Sequence, residues 1–266
     1  MTIGKLIGYG RTANIFEWEE DKIVKLFHEN YPREFIEYEY KASDYIQKVF
    51  PCTPKTFGLV EQDNQLGIVF EKIEAITLLD YLLQDPLRIF KEIKKFAQIH
   101  VQMHECEFTG FKTQKAFLEW DIQRGKNLSG DQKKKILVVL DQLPDGNNLC
   151  HRDYHPDNLF YTEEGLIVID WMTATQGDPA ADVARTYFIL KHASPVVELT
   201  KIEKIKVKLF QSITSRIYLK NYLKQSKLSK KDIQQWELVT IASRIAEDIP
   251  QEKNLILNRI NKLMKE

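Results

Sequence analysis

The chain has 266 residues, of which 43% are hydrophobic and 29% are charged, with 38 lysine and arginine residues against 38 aspartate and glutamate residues. This composition is that of an ordinary globular protein, and it excludes collagen-like, intrinsically disordered and disulfide-scaffold classes. The length suits one large domain or two small ones. A formal net charge of zero gives no general reason to expect a nucleic-acid or membrane-surface partner.

The cysteines and the apolar runs together predict a cytoplasmic location. Cys52, Cys106 and Cys150 are odd in number, far apart and in no CxxC pair, as expected in a reducing compartment. No apolar run approaches the roughly 18 residues that a membrane-spanning helix needs. The first residues, MTIGKLIGYG, also lack the apolar core of a signal peptide.

Residues 1–73 are predicted to form a small β-rich lobe with one inserted helix. Short runs of β-branched and aromatic residues, separated by turn-like acidic and Asn-containing segments, are typical of strands. These runs are Asn14 to Glu17, Ile23 to Phe27, Thr56 to Val60 and Leu66 to Phe70. The helix begins near Pro32, a residue suited to a first helical turn, and ends before Pro51.

Residues 74–266 are predicted to form a larger, mainly helical lobe. Apolar residues recur there with a helical period, and a single short β-rich stretch runs from Leu159 to Ile169. The predicted helices cover about 76–84, 87–106, 114–126, 131–142, 179–192, 200–225, 230–247 and 251–264. The fold class is therefore α+β, with a small antiparallel-sheet lobe and a larger helical lobe.

The segment from His151 to Asp170 carries the strongest chemical signal. It contains the pattern H-x-D-x-x-x-x-N, with Asp153 and Asn158 at the last two defined positions, and then an apolar strand that ends in Asp170. In phosphoryl transfer, one carboxylate accepts a hydroxyl proton, while an amide oxygen and a second carboxylate hold Mg²⁺ against the nucleotide phosphates. A surface turn rich in Asp and Asn would not explain why an apolar strand delivers another Asp to the same place.

The segment Gly8-Tyr9-Gly10-Arg11-Thr12-Ala13 lies between two predicted strands, where a glycine-rich flap over nucleotide phosphates would lie. A strand follows the glycines, so the segment does not fit a Rossmann fingerprint, and it lacks the Gly-Lys-Ser/Thr of a P-loop. For this segment taken on its own, a simple hairpin turn is the alternative.

Lys25 stands in the middle of the apolar strand Ile23 to Phe27, and a buried ammonium group needs an anionic partner. Nucleotide phosphates and a helix carboxylate would supply that charge. Glu39 on the inserted helix is the preferred carboxylate, while Glu37 and Glu34 remain alternatives.

Taken together, these motifs resemble the aminoglycoside phosphotransferase and choline kinase family, small-molecule kinases with a protein-kinase-like fold. The resemblance spans residues 4–185 and includes Gly177-Asp178-Pro179-Ala180-Ala181-Asp182, which follows the catalytic loop in the family's order. It implies transfer of a γ-phosphoryl group from ATP or GTP to a hydroxyl of a small molecule, with Mg²⁺ as cofactor. The acceptor, which members of the family choose differently, stays open, as does the choice of purine.

The resemblance also implies a role for each matching residue. Asp153 would be the catalytic base, and Asn158 and Asp170 would be Mg²⁺ ligands. His151 and Asp182 would support the catalytic loop. The residues that would bind the nucleotide are Gly8, Gly10, Lys25, Glu39, the hinge residues Lys72 and Ile73, and Phe160 and Ile169, which would form an apolar floor under the base.

Two alternatives accompany this interpretation. Arg152 completes the His-Arg-Asp of protein kinases, but the few residues between Asp170 and Asp182 leave no room for an activation loop, and no Ala-Pro-Glu follows. The other alternative is a non-catalytic nucleotide-binding scaffold on the same fold. The intact set of Lys25, Asp153, Asn158 and Asp170 disfavours it.

Several further residues are candidates for a substrate wall. His155 lies in the catalytic loop, and Trp236, Glu247 and Asp248 lie in the C-terminal helices, where acidic side chains would suit a cationic acceptor. His100 and His104 are four residues apart on a predicted helix, which is the spacing of a zinc pair, but the intervening residues do not include the glutamate of a zinc-protease motif. A polar edge of a packed helix explains that pair better.

Overall fold

A computed structural model describes residues 3–193 and 199–265 of the chain. The described residues form ten strands: β1 (Leu6–Tyr9), β2 (Ala13–Glu19), β3 (Lys22–Phe27), β4 (Thr56–Gln62), β5 (Gln65–Glu71), β6 (Ile76–Thr77), β7 (Asn148–Cys150), β8 (Leu159–Tyr161), β9 (Leu166–Val168) and β10 (Thr175–Gly177).

The α-helices of the same residues are α1 (Arg33–Val49), α2 (Leu78–Gln84), α3 (Ile89–Glu105), α4 (Gln114–Arg124), α5 (Gly130–Gln142), α6 (Pro179–His192), α7 (Lys201–Gln225), α8 (Lys230–Arg244) and α9 (Pro250–Leu263). Within the described residues, no helix has both the length and the apolar character needed to cross a bilayer.

The chain divides into two compact units. The first consists of residues 1–84 together with 156–174, and the second of residues 85–155 together with 175–266. The sequence predicts that residues 1–73 bind the nucleotide and that residues 74–266 carry out catalysis and bind the substrate. The packing of the chain does not test this assignment of functions, which stays a prediction.

The first unit is built on a five-stranded antiparallel sheet in the order β1-β2-β3-β5-β4. Helix α1 connects β3 to β4 and buries one face, including Ile36, Ala42 and Ile46, as its helical period predicts. Phe27 and Ile68 form the sheet's part of this core. The predicted small antiparallel sheet with one inserted helix is therefore confirmed.

A second, three-stranded sheet in the first unit has the order β6-β8-β9. The β8-β9 hairpin is the predicted β-rich stretch, and its register pairs Leu159 with Val168. Gly165 closes the hairpin with a φ of 150°, a backbone conformation that a side chain disfavours. This hairpin places Asn158 immediately before one strand and Asp170 shortly after the other.

The second unit is mainly helical, as predicted, and it adds one feature that the sequence did not predict. Strands β7 and β10 pair antiparallel, with Cys150 opposite Thr175. Each strand has three residues, too few to show an alternating pattern. Their pairing joins the residues just before His151 to the segment that leads into α6.

Some predicted helix ends needed correction. The predicted helix 76–84 begins with the short strand β6, and the predicted helix 230–247 ends as an α-helix at Arg244 before a 3₁₀ turn over Ile245–Glu247. Asp248 then adopts the left-handed conformation, with a φ of 52°, which ends the helix.

Candidate active site

Lys25 lies between two carboxylates in the first unit. Its Nζ atom is 2.7 Å from Oε1 of Glu39 and 2.9 Å from Oδ1 of Asp170. Glu37 instead forms an ion pair with Arg33 on the same helix. Of the acids that the sequence left open, Glu39 is therefore the one on α1 that contacts Lys25, since Glu34 is exposed.

Burial makes this contact strong and also necessary. Burial alone would lower the pKa of Lys25, but the charges of Asp170 and Glu39 raise it above its ordinary value, so the amine stays protonated. Burial raises the pKa of Glu39, and Lys25 opposes that shift. Oε2 of Glu39 is buried with no hydrogen-bond partner among the described residues, so Lys25 is the group that compensates this carboxylate.

Asp170 is held in an unusual backbone conformation. Its φ is 65°, in the left-handed region that residues with a side chain seldom adopt. Both neighbours are anchored: the Ile169 N–H donates to the carbonyl of Asn158 at 3.0 Å, and the Trp171 indole donates to Thr53 at 2.8 Å. The anchors fix the direction in which the Asp170 carboxylate leaves the chain, and they place Asn158 beside it.

The predicted glycine segment forms the β1-β2 turn. Gly8 pairs with Ile15 in the ladder, and the Gly10 N–H donates to the carbonyl of Ala13 at 2.9 Å. A Cβ atom on Gly10 would lie 2.9 Å from that same carbonyl oxygen, so a side chain there would force the turn apart.

The predicted hinge residues follow β5. The Lys72 N–H donates to the carbonyl of Asp21 at 2.9 Å, and the Ile73 carbonyl accepts from the Ala75 N–H at 3.1 Å. One backbone group of each hinge residue is therefore already hydrogen-bonded to another backbone group of the protein. Phe160, in β8, and Ile169, just after β9, are both half-buried.

Asp153 belongs to the second unit, where His151 and His155 surround it. Its backbone N–H donates to Nδ1 of His151 at 3.2 Å, and its Oδ2 lies 3.5 Å from Nε2 of His155. Burial on its own would raise the pKa of Asp153, but the hydrogen bond and charge of His155 and the charge of Arg185 hold it below its ordinary value. The carboxylate is therefore ionised at neutral pH.

Asp182, near the start of α6, accepts four hydrogen bonds. Oδ2 accepts the His151 N–H at 2.7 Å, and Oδ1 accepts the Arg152 N–H at 2.7 Å. His100 and His104 of α3 approach Oδ2 with their Nε2 atoms at 3.3 and 3.2 Å. Burial would raise the pKa of Asp182, but the hydrogen bonds and charges of His100 and His104 hold it well below its ordinary value.

The sequence analysis missed the aromatic half of this network. Nδ1 of His100 lies 2.7 Å from the hydroxyl of Tyr218, and Nδ1 of His104 lies 2.7 Å from the hydroxyl of Tyr222. His100 and His104 are four residues apart on α3, and Tyr218 and Tyr222 are four residues apart on α7. These matching spacings are the sequence signal that could have suggested the contacts. The histidine nitrogens and the Asp182 carboxylate could also hold a metal by type, but hydrogen bonds with the protein already engage them.

Two residues of the predicted substrate wall, Trp236 and Glu247, are engaged within the protein. Trp236 is buried in α8. Glu247 forms ion pairs with Arg185 and with Arg244, the latter at 3.0 Å. Its two oxygens thus face arginines, which leaves the exposed Asp248 as the acid of this turn that faces solvent.

Comparison with known sequences now decides the family. The sequence profile of the "Phosphotransferase enzyme family" matches residues 7–201, which is most of the chain. The chain belongs to the phosphotransferase enzyme family. No curated protein matches this phosphotransferase by sequence.

Solved structures agree on the fold. The phosphotransferase aligns over 99% of its length with 94% of a thermostable aminoglycoside phosphotransferase mutant bound to AMP-PNP and hygromycin B, at 12% identity and a TM-score of 0.65. A choline/ethanolamine kinase family protein from Mesorhizobium loti gives 14% identity, 99% and 89% coverage and a TM-score of 0.62. An amicoumacin kinase, solved in complex with AMP-PNP, Ca²⁺ and Ami, gives 16% identity, 98% and 86% coverage and a TM-score of 0.62.

These likenesses confirm the predicted family and the predicted α+β, protein-kinase-like fold. The predicted enzyme class, a phosphotransferase, is confirmed as well.

Proposed function

We propose that this phosphotransferase moves the γ-phosphoryl group of ATP or GTP to a hydroxyl group of a small molecule. One observation carries the proposal: a buried lysine is held between a helix carboxylate and the aspartate that follows β9. A fixed, protonated Lys25 can donate charge-assisted hydrogen bonds to phosphate oxygens, and a magnesium ion beside Asp170 would offset the negative charge that the phosphates add to the two carboxylates.

The nucleotide is proposed to lie against residues of the first unit. The β1-β2 turn at Gly8 and Gly10 would cover the phosphates with backbone groups, and Phe160 and Ile169 would contact the base. Because the Lys72 N–H and the Ile73 carbonyl are used within the protein, the adenine or guanine edge is assigned to the Lys72 carbonyl and the Ile73 N–H.

The donor set around Asp170 fits a magnesium ion. Mg²⁺ prefers oxygen ligands and is usually held by one or two carboxylates together with substrate phosphates. The hydrogen bond from the Ile169 N–H to the Asn158 carbonyl brings the backbone of Asn158 next to the residue that precedes Asp170, which supports a shared ion between the Asn158 amide and the Asp170 carboxylate. When bound there, the ion would neutralise charge on the phosphates, and Asn158 and Asp170 would be its protein ligands.

Asp153 is proposed to orient the acceptor hydroxyl and to receive its proton. A carboxylate that is ionised at neutral pH accepts a hydrogen bond from the hydroxyl and so directs the oxygen lone pair toward the phosphorus atom. A carboxylate with a lowered pKa is a weak base, so most of its effect is positioning, and the proton moves late in the transfer.

The acceptor class is proposed from the fold. Proteins of this fold were solved with hygromycin B, gentamicin or streptomycin, and others are choline kinases. Hygromycin B, gentamicin, streptomycin and choline are all small hydroxylated compounds, which supports a small-molecule acceptor for this chain. The reducing environment suggested by the three cysteines, none of which forms a disulfide, supports the proposed cytoplasmic location.

The test is acceptor-dependent release of nucleoside diphosphate by the purified protein with Mg²⁺ and ATP or GTP. The panel contains aminoglycosides, amino alcohols, sugars and nucleosides. Asp153→Asn should lower turnover by about 10²- to 10⁴-fold and leave nucleotide binding nearly unchanged. Asp157→Asn is the matched control, because it removes the same charge from an exposed position of the same loop.

The two variants separate the outcomes. Acceptor-dependent release that Asp157→Asn retains and Asp153→Asn loses supports the proposal. Equal turnover in Asp153→Asn would remove its role as base. Nucleotide binding without release for any acceptor would favour the non-catalytic scaffold.

A further inference from the structure

Two side chains on one face of α6 hold the backbone of Arg152, the residue immediately before Asp153. Asp182 and Arg185 are three residues apart and therefore neighbours on the helix. Oδ1 of Asp182 accepts the Arg152 N–H at 2.7 Å, and Nε of Arg185 donates to the Arg152 carbonyl. Both polar backbone groups of Arg152 are thus fixed by a single helical turn.

Arg152 needs this support because its backbone is strained. Its φ is 66°, in the left-handed region, which costs about 1–2 kcal/mol for a residue with a side chain. The side chain of Arg152 is separately fixed by Asp121 at 2.7 Å. If the backbone relaxed toward a common conformation, the carboxylate of the next residue, Asp153, would leave the chain in another direction.

Arg185 is in turn held by a line of alternating charges. Glu252 of α9 binds Arg244 through two hydrogen bonds, at 2.6 and 3.0 Å. Arg244 contacts Glu247, and Glu247 contacts Arg185. The line alternates acid and base from the start of α9 to α6, and each buried charge in it has an opposite neighbour.

Arg185 makes no hydrogen bond to Asp153, so beyond the effect of its charge it acts on that residue through position. Its Nη2 atom is 4.0 Å from Oδ1 of Asp153, which is too far for a hydrogen bond. Its direct contacts are the Arg152 carbonyl on one side and Glu247 on the other. The planar guanidinium of Arg185 can bind the carbonyl and the carboxylate at the same time because its N–H donors point in fixed directions.

Resting on the function proposed above, we propose that Arg185 is a positioning residue for Asp153, and that Glu247 holds Arg185 in the orientation this requires. The C-terminal turn that contains Glu247 therefore belongs to the support of the catalytic loop. This assignment gives Glu247 a different part from the one expected of an acid that meets a cationic acceptor.

The main test is Glu247→Ala, which removes the anchor and leaves Arg185 in place. Misplacement of a catalytic group by about 1 Å can lower a rate by about 100-fold, so turnover should fall about 10- to 100-fold, with the KM for nucleotide unchanged. Arg185→Lys keeps the charge but loses the fork of donors, and it should lose turnover to a similar extent.

Glu237→Gln is the matched control. Glu237 also belongs to the α8 region, has a similarly exposed side chain (29% against 26% for Glu247) and pairs with Arg259 at 2.6 Å. It makes no contact with Arg185 or Arg244 among the described residues, and its loss should leave turnover and loop protection unchanged.

A second measurement is independent of catalysis. Amide hydrogen exchange of the peptide covering residues 150–155 should become at least about 10-fold faster in Glu247→Ala and stay unchanged in Glu237→Gln. Unchanged exchange in Glu247→Ala would overturn the inference, and so would a fully active Arg185→Lys. If the native protein transfers no phosphate to any acceptor, the proposed function fails, while the exchange experiment still decides the positioning role.

Discussion

The buried histidine at position 100 should make the stability of the protein fall in mild acid. Burial lowers the pKa of His100 from 6.5 to about 3, so the folded chain keeps the ring neutral. The unfolded chain binds a proton at this histidine below pH 6.5, and the folded chain does not until about pH 3. Acid therefore favours unfolding throughout that window.

The size of the effect follows from these two values. Each unit of pH at which only the unfolded chain is protonated costs about 1.4 kcal/mol. Between pH 7.5 and pH 5, His100 alone should remove about 2 kcal/mol of the free energy of unfolding. Asp182 does not interfere, since its pKa lies well below the ordinary value of 3.8 and hence below this range.

The perturbation is His100→Asn, measured by urea unfolding at several pH values between 5 and 7.5. The variant is expected to be less stable at pH 7.5, because Asp182 and Tyr218 each lose a hydrogen-bond partner, but to lose about 2 kcal/mol less than the native protein on acidification. His192, whose pKa burial lowers to about 4, contributes in the same direction to both proteins, so its effect cancels in the difference.

Ile93→Val is the control, because it shortens a fully buried side chain on the same helix and introduces no titrating group. It should lower stability by about 1 kcal/mol at every pH, parallel to the native protein. Parallel curves for the native protein and His100→Asn would refute the conclusion that His100 is buried in its neutral form.

Three further predictions concern other parts of the molecule. Lys25→Met should weaken nucleotide binding about 10- to 100-fold in a titration at neutral pH, since charge-assisted hydrogen bonds are worth about 1.5–3 kcal/mol; undiminished affinity would contradict the phosphate contact. Ser129→Ala removes the side chain of a capping box at the start of α5 and should cost about 1 kcal/mol in urea unfolding, and an unchanged midpoint would show that water replaces the cap. Gly146→Ala would place a Cβ atom 2.2 Å from the Gly177 carbonyl oxygen, so it should lower the melting temperature clearly, and a native melting temperature would mean that the β7-β10 segment shifts freely.

The fold was largely predictable because its elements carry strong local signals. The helix predicted at 179–192 has the observed bounds Pro179–His192, since Asp178 caps it, Pro179 opens it and buried apolar residues follow with a helical period. Four strands of the five-stranded sheet, β2 to β5, were also located, because β-branched and aromatic runs end at polar turns, whereas no run was predicted for β1.

Two kinds of structural detail could not be predicted from the sequence. Strands β7 and β10 are three residues each, and only their pairing with each other, which places Cys150 opposite Thr175 and Asn148 opposite Gly177, makes them strands. The contact of Glu247 with Arg185 could not be predicted either, because the sequence neighbours of Glu247 give no sign that Arg185, 62 residues earlier, binds its carboxylate. Contacts between residues distant in sequence leave no periodic signal for a single sequence to show.

By itself, the sequence determined the fold class and predicted which types of side chain the site contains. The spacing of Asp153, Asn158 and Asp170, and an ammonium within an apolar strand, are local patterns that reflect the needs of phosphoryl transfer. Only the tertiary structure decided that Glu39 is the acid that contacts Lys25. Three glutamates share one helix, and burial against the sheet, which depends on how α1 packs, brings a single one of them within 2.7 Å of the lysine.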